Sequence, residues 1–248
     1  MTIVNKINEI RKKRGGVAVA LIDPDAKYEN KLPTMIDIIN ESDFDYIFIG
    51  GSMICDNEFD RRLAFIKKNT DLPLIIFPGS SNQISIHADG ILFLSLISGR
   101  NPQYLIGEHI KSAPIIYNMS IEPIPIAYIL LEGGIRSSVE IISDTKPIPM
   151  DRHEIILAHA LAGQYLGKAF IFLETGSGAK RHVSCEIISY LKSYITIPII
   201  VGGGIKTATD ASSLVKAGAD IIVLGSHIEY LPNSSELIKL TKSIHKDA

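Results

Sequence analysis

At 248 residues, with 46% apolar and 21% charged side chains, the chain has the make-up of a folded domain with one large core rather than of a disordered segment. Its formal net charge of −2, from 25 basic and 27 acidic side chains, gives no electrostatic footprint for a nucleic-acid backbone, so nucleic acid is not expected as a partner. No run approaches the roughly 18 apolar residues of a membrane span, and the mixed charged and apolar stretch from Met1 to Arg14 does not read as a cleaved signal peptide, so a cytoplasmic protein is expected.

The first apolar, β-rich run, Val17 to Ile22, ends in Asp23, Pro24 and Asp25. The second, Tyr46 to Ile49, ends in Gly50, Gly51 and Ser52 and leads into a helical periodicity from Asn57 to Asn69. The third and fourth runs, Leu74 to Phe77 and Gly90 to Leu94, are separated only by residues 78–89. There Pro78, Gly79, Ser80, Ser81 and Asn82 use up much of the length, and a full outer helix does not fit. Long connections, Ser95 to Pro125 and Glu132 to Lys168, flank the fifth run, Ile126 to Leu131. The second of them holds the stiff stretch Thr145 to Pro149 and a helical segment from Asp151 to Leu166. Ala169 to Leu173, Pro198 to Val201 and Ile221 to Leu224 follow, with helical segments Ser184 to Tyr194 and Ala208 to Ala217 between them.

Continuous apolar runs suit strands buried on both faces, and parallel strands need crossover helices. The βαβα order therefore predicts one (β/α)8 TIM barrel over residues 1–248, with a reduced connection between strands three and four. That short connection beside a long one is either a trimmed loop or a gap in the helical ring that forms a ligand groove.

The chemistry is expected at the C-terminal ends of the strands. Gly202, Gly203, Gly204 and Ile205 lie between a strand and a helix start, where glycines admit an anion to backbone amides and the helix terminus adds partial positive charge. Gly225 and Ser226 close the next strand, and loops seven and eight of such barrels commonly form one phosphate clamp. Strand six runs into Glu174, Thr175, Gly176, Ser177 and Gly178. Glu174 either accepts hydrogen bonds from, or a proton of, a substrate hydroxyl, or pairs with Lys180 or Arg181. Asp23 and Asp25, with Ser52 nearby, are hard-oxygen groups that suit Mg2+, although Asp-Pro-Asp also serves as a turn. The seven histidines form no short ligand-spaced motif. Arg100, Arg136 and Lys146 could screen a second anion or be solvated surface charges. Cys55 and Cys185 are expected to be buried free thiols.

Taken in order, Leu21-Ile22-Asp23-Pro24-Asp25, Gly50-Gly51-Ser52, Thr145-Lys146-Pro147-Ile148-Pro149, the segment Phe172 to Gly178, Gly202-Gly203-Gly204-Ile205 and Gly225-Ser226 resemble the geranylgeranylglyceryl phosphate synthase family, which includes the heptaprenylglyceryl phosphate synthases. The resemblance covers nearly the whole chain. It implies an Mg2+-dependent prenyltransferase of lipid biosynthesis that joins sn-glycerol 1-phosphate to a long-chain prenyl diphosphate, geranylgeranyl diphosphate being the expected donor. The product is an ether, and diphosphate is released. By the same resemblance Asp23 and Ser52 hold the metal, and Phe172, Leu173, Glu174, Thr175, Gly176, Ser177 and Gly178, with Gly203, Gly204, Gly225 and Ser226, bind glycerol phosphate. For that reaction the residues suggest two catalytic groups: Asp23, which with Mg2+ neutralises the leaving diphosphate, and Glu174, which orients the attacking hydroxyl and accepts its proton. Phe172 stands where the family usually has Tyr, so one hydroxyl contact is missing. A prenyl chain also needs an apolar groove, for which Ile84, Ile86, Phe93, Leu96 and Ile97 are the candidates. A lipid product implies transient contact with a membrane surface, and a homo-oligomer is expected. The competing readings are a phosphosugar isomerase or flavin-dependent oxidoreductase on the same barrel, and a non-catalytic prenyl- or phosphate-binding barrel.

Overall fold

Helix α1 (Ile3–Arg14) closes the bottom of the molecule before the first strand begins. The Thr2 hydroxyl caps it by accepting from Asn5 N, and Gly15, in the left-handed conformation, ends it. Both carboxylate oxygens of Glu122 accept from Ile3 N at 2.8 Å, placing negative charge on the helix N-terminus. Ile3 and Ile7 then pack into the barrel interior as a plug. The computed structural model describes residues 1–230 and 234–245.

The order continues β1 (Val17–Ile22), α2 (Leu32–Asn40), β2 (Tyr46–Ile49), α3 (Phe59–Lys68), β3 (Leu74–Ile76), β4 (Gly90–Leu96), α4 (Glu108–Met119), β5 (Glu122–Leu130), α5 (Ser138–Ser143) and α6 (His153–Tyr165). It ends with β6 (Phe170–Glu174), α7 (Cys185–Lys192), β7 (Ile199–Gly202), α8 (Ala208–Ala217), β8 (Ile221–Leu224), α9 (Ser226–Glu229) and α10 (Ser234–Ile244). The eight strands form one closed barrel, each parallel to the next, and β1 pairs with β8 through Val17↔Ile221 to Ala20↔Leu224. The expected (β/α)8 architecture is the observed one, and the span between β3 and β4 carries no helix.

Strand parity divides the core into two layers. Val17, Val19, Phe48, Leu92, Ile126, Phe170, Phe172 and Ile200 fill the barrel interior. Ala18, Ala20, Ile22, Ile47, Ile171, Leu173 and Val201 face the outer helices. The same parity puts Asp23, Gly50, Glu174, Gly202 and Gly225 in the topmost interior layer. Bulky apolar residues give way there to carboxylates and glycines, and a cavity opens at the C-terminal end.

Two elements depart from the reading of the sequence. The fifth strand begins at Glu122, not Ile126, running through Pro123 and Pro125. Prolines lack an N–H, but the Pro125 carbonyl still accepts from Ala169 N at 2.8 Å, which is all that register asks of it. The fourth connection folds as a π-helical turn, Gln103–Gly107, leading into α4 despite Pro114 inside that helix. The two thiols are free as expected, but neither is buried: Cys55 is exposed, because it lies in the loop after β2, and Cys185, the first residue of α7, is half-buried.

Candidate functional site

A cleft of about 530 Å³ lies over the C-terminal end of the barrel. Its walls include Asp23 and Ser52 on one side and Glu174, Gly176, Ser177, Gly203, Gly225 and Ser226 on the other. Residues from both ends of the sequence thus meet in a single chamber.

Glu174 is the last residue of β6, only 6% exposed, and follows the interior parity of Phe172. Its Oε1 accepts from Gly176 N at 2.7 Å. A Cβ on Gly202 would stand 2.4 Å from Glu174 Oε2, and one on Gly203 would stand 2.6 Å from Oε1. The carboxylate therefore occupies the room that two glycines leave. Gly203 has the further constraint of φ +83°, a conformation that disfavours any side chain. Burial raises the Glu174 carboxyl to about 7, against the smaller opposing effect of its backbone hydrogen bonds. No salt bridge joins it to Lys180 or Arg181; Arg181 instead approaches Glu132 at 3.9 Å.

Asp23 faces it across the chamber. Burial raises this carboxyl to about 6, with Lys27 pulling the other way. Its Oδ1 is buried and has no hydrogen-bond partner, packed where a Cβ on Gly51 would come within 2.4 Å. The other oxygen lies 3.7 Å from Lys27 Nζ. Asp25 plays the turn role, since its Oδ1 accepts from Lys27 N at 2.9 Å and caps the 3-10 turn Ala26–Lys31. Among the described residues no group of three or more His, Cys, Asp or Glu side chains forms a metal cluster. An orphaned carboxylate oxygen in a cleft that Ser52 also lines fits a hard cation completed by ligand oxygens, as Mg2+ is commonly held, and does not fit zinc.

Five of the anticipated residues do not put their side chains or glycine backbones on this cleft. Leu173 has the opposite parity and packs into the helical layer. Phe172 is fully buried, its ring against Phe77 at 5.3 Å and Tyr128 at 5.2 Å. Thr175 is buried, with its hydroxyl 3.5 Å from the Gly202 carbonyl. Gly178 lies off the cleft wall, and Gly204 belongs to a separate surface hollow with Arg181 and Lys206. These residues shape loops six and seven from behind.

The cleft continues outward across the uncovered side between β3 and β4. Ile84, Phe93 and Leu96 line it as anticipated, whereas Ile86 projects into solvent at 63% exposure and Ile97 packs towards Gly163 of α6. Ile91, Leu94, Tyr104 and Ile142 are among the further apolar lining, and Glu108 and His109 of α4 line it as well. Arg100, Arg136 and Lys146 do not reach the cleft; Lys27 does. Tyr128 of β5 also lines the chamber, and burial together with the Glu174 charge raises its phenol well above the ordinary value, so it stays a hydrogen-bond donor. In the sequence Tyr128 is one aromatic in an apolar run. Only its register beside Phe172, one strand before Glu174, could have singled it out.

The PcrB family model matches residues 8–242. The chain belongs to the PcrB family. The geranylgeranylglyceryl phosphate synthase of Zunongwangia profunda is 46% identical over 224 residues, covering 90% of this chain and 94% of that protein. The one from Chitinophaga pinensis is 41% identical over 240 residues, 96% of this chain and 94% of the relative. Among solved structures, (S)-3-O-geranylgeranylglyceryl phosphate synthase from Thermoplasma acidophilum, in complex with its substrate sn-glycerol-1-phosphate, superposes with a TM-score of 0.93 at 36% identity, over 100% of both chains. Within this PcrB-family chain no described helix is long and apolar enough to cross a membrane.

Proposed function

We propose that this PcrB-family chain is a geranylgeranylglyceryl phosphate synthase, forming an ether between sn-glycerol 1-phosphate and a long-chain prenyl diphosphate with release of diphosphate. The observation that carries the reading is the join of two unlike compartments at Glu174. A polar chamber floored by glycine loops suits a small phosphorylated polyol, and an apolar groove leads away from it. The names of relatives at 41–46% identity point the same way.

In this reading Ser177, Gly203, Gly225 and Ser226 receive the phosphate through backbone amides and hydroxyls, Gly176 N stays on the Glu174 carboxylate, and the polyol extends towards Glu174. Glu174, with its carboxyl at about 7, takes the proton from the attacking hydroxyl, which needs a base poised near neutrality. Tyr128 donates to a substrate oxygen beside it. Ile84, Ile91, Phe93 and Leu96 exclude water from the chain and from the reacting carbon.

The diphosphate requires countercharge. Asp23, Asp25, Glu108, Glu174 and Glu229 line the cleft, against Lys27 on the basic side among the described residues; burial and Lys168 lower the His109 imidazole, which keeps it neutral. Two anionic substrates in an acidic cleft call for an added cation, and Asp23 with Ser52 would hold Mg2+. When bound, the metal would neutralise the leaving diphosphate and so ease carbon–oxygen cleavage. Lys27, beside Asp23, orients the same leaving group.

The decisive experiment incubates the protein with Mg2+, labelled sn-glycerol 1-phosphate and prenyl diphosphates of graded length, with sn-glycerol 3-phosphate as control. Labelled ether lipid from the 1-phosphate and its dependence on chain length are expected. No product with any donor would overturn the proposal.

A further inference from the structure

The loops after β1 and β2 carry the two proposed cation ligands, and beyond Ile22 and Ile49 no strand ladder joins Asp23 to Ser52. The connection is made from behind by Arg62, in the first turn of α3. Its side chain is 3% exposed, so its donors must be satisfied by protein groups. Nη1 donates to the Pro24 carbonyl and to Asp56 Oδ1, both at 2.9 Å, and Nη2 donates to Asp56 Oδ2 at 2.7 Å. Nε donates to the Glu29 carboxylate. Pro24 is the residue after Asp23, Glu29 lies in the following 3-10 turn, and Asp56 is in the loop that Ser52 opens. One planar cation therefore grips both ends of the first loop and the second loop. Arg61 reinforces the outer side, donating to Glu29 at 2.6 Å.

Asp23 takes no part in this network. Its Oδ1 is without a partner, and its place is set by the backbone around Pro24 and by close packing on Gly51. We infer that Arg62 is a positioning residue for the cation site: by holding the Pro24 carbonyl and Asp56 on one guanidinium it sets the distance between Asp23 and Ser52, and thereby the affinity for a divalent cation with its diphosphate. Arg62 does not line the cleft. The role requires arginine, since lysine offers a point charge where the site uses a fork directed at a carbonyl and two carboxylates. This inference rests on the proposed function only in taking Asp23 and Ser52 as cation ligands.

The test compares wild type with Arg62→Lys. Mn2+ binding is measured by electron paramagnetic resonance with inorganic diphosphate present, alongside melting temperature and the KM for glycerol phosphate. The expected result is a loss of Mn2+ affinity of about 10- to 100-fold, the range for residues that orient metal ligands. The apparent Mg2+ requirement should rise in step, with the KM for glycerol phosphate unchanged. Unaltered Mn2+ affinity in a folded variant would overturn the role. So would a parallel loss of glycerol phosphate affinity, which would show general damage instead. Should Arg62→Lys fail to fold, Asp56→Asn removes charge from the second loop's arm alone and is expected to weaken Mn2+ binding in the same direction; wild-type affinity there overturns the role equally. If wild-type protein binds no Mn2+ with diphosphate, the cation site itself is wrong, a failure distinct from a site that is present and indifferent to Arg62.

Discussion

The two sides of the rim are built from different materials. Around loops six to eight the site consists of backbone: Gly202 and Gly203 leave room for Glu174, Gly176 N holds its carboxylate, and positive φ at Gly176, Gly203 and Gly204 bends the chain. Around loops one and two the site is held by side-chain charge, with Arg62 and Arg61 tied to Asp56, Glu29 and Glu58. The backbone side is preorganised, so under the proposed function an anion would meet fixed amides there at little cost in reorganisation. The charged side is a strut, partly open to water, whose geometry depends on several long side chains at once. Damage to the first should appear in proton transfer and glycerol phosphate binding, and damage to the second in cation dependence.

The sharpest way to separate them is Glu174→Gln. The amide keeps the shape but is a poor base, so turnover should fall by about 10²- to 10⁴-fold, measured with both substrates saturating. The same variant should be more stable than wild type at high pH. Burial raises the Glu174 carboxyl from its ordinary 4.5 to about 7. Its protonated form thus favours folding below about 4.5, that advantage is lost as pH rises through about 7, and above it the folded protein carries a buried charge. Denaturant unfolding at pH 8 should show Glu174→Gln stabilised by up to about 3 kcal/mol, with the gap closing by pH 4. In wild type kcat should decline as pH falls below about 7, where the base becomes protonated. A variant turning over at the wild-type rate would remove Glu174 from proton transfer.

Asp23→Asn tests the charged side. Loss of the orphaned carboxylate charge should lower turnover on the order of 10²-fold and raise the Mg2+ requirement, because a hard cation loses its anionic ligand. Asp25→Asn should be mild, since an amide oxygen can still cap Lys27 N. The reverse ranking, read from Mg2+ titrations of both variants, would reassign the metal ligand.

Gly203→Ala acts between the two in strength. With φ +83° and a Cβ 2.5 Å from Thr175 Oγ1 and 2.6 Å from Glu174 Oε1, it strains the loop and pushes the carboxylate aside. A stability loss of about 1–3 kcal/mol and a higher KM for glycerol phosphate are expected, the first from thermal unfolding and the second from steady-state kinetics. A larger residue here would not give a clean test of phosphate approach, because its Cβ already meets Thr175 Oγ1 and Glu174 Oε1.

The smallest expected effect is that of Phe172→Tyr. The far edge of the Phe172 ring lies 3.2 Å from where a Cβ on Gly202 would be, beside Glu174 Oε2. A hydroxyl added there should donate to the carboxylate, favour its charged form and move the acid limb of the pH–rate profile to lower pH, with a modest gain in glycerol phosphate affinity. An unchanged profile would place the ring edge elsewhere.

Much of this molecule was legible in its sequence. Each strand announced itself as a continuous apolar run because both its faces are buried, and the parallel order followed because crossovers need helices. The glycine loops were legible for a related reason: a backbone that must bend through positive φ, or approach a carboxylate closely, can use hardly any other residue, so the requirement is written locally. The prolines at 123 and 125 hid the start of β5, and Pro114 hid α4, because a breaker signal says nothing about whether a neighbour needs the missing N–H. Tertiary structure alone decided the rest. Whether Phe172 lines the cleft or packs on Tyr128, whether Ile86 lines the groove or faces water, and which arginine joins loops one and two depend on contacts between residues far apart in the chain. Charged and aromatic side chains are tolerated in many settings, and only the closed barrel, by fixing which strand ends stand side by side, gives each of them its neighbours.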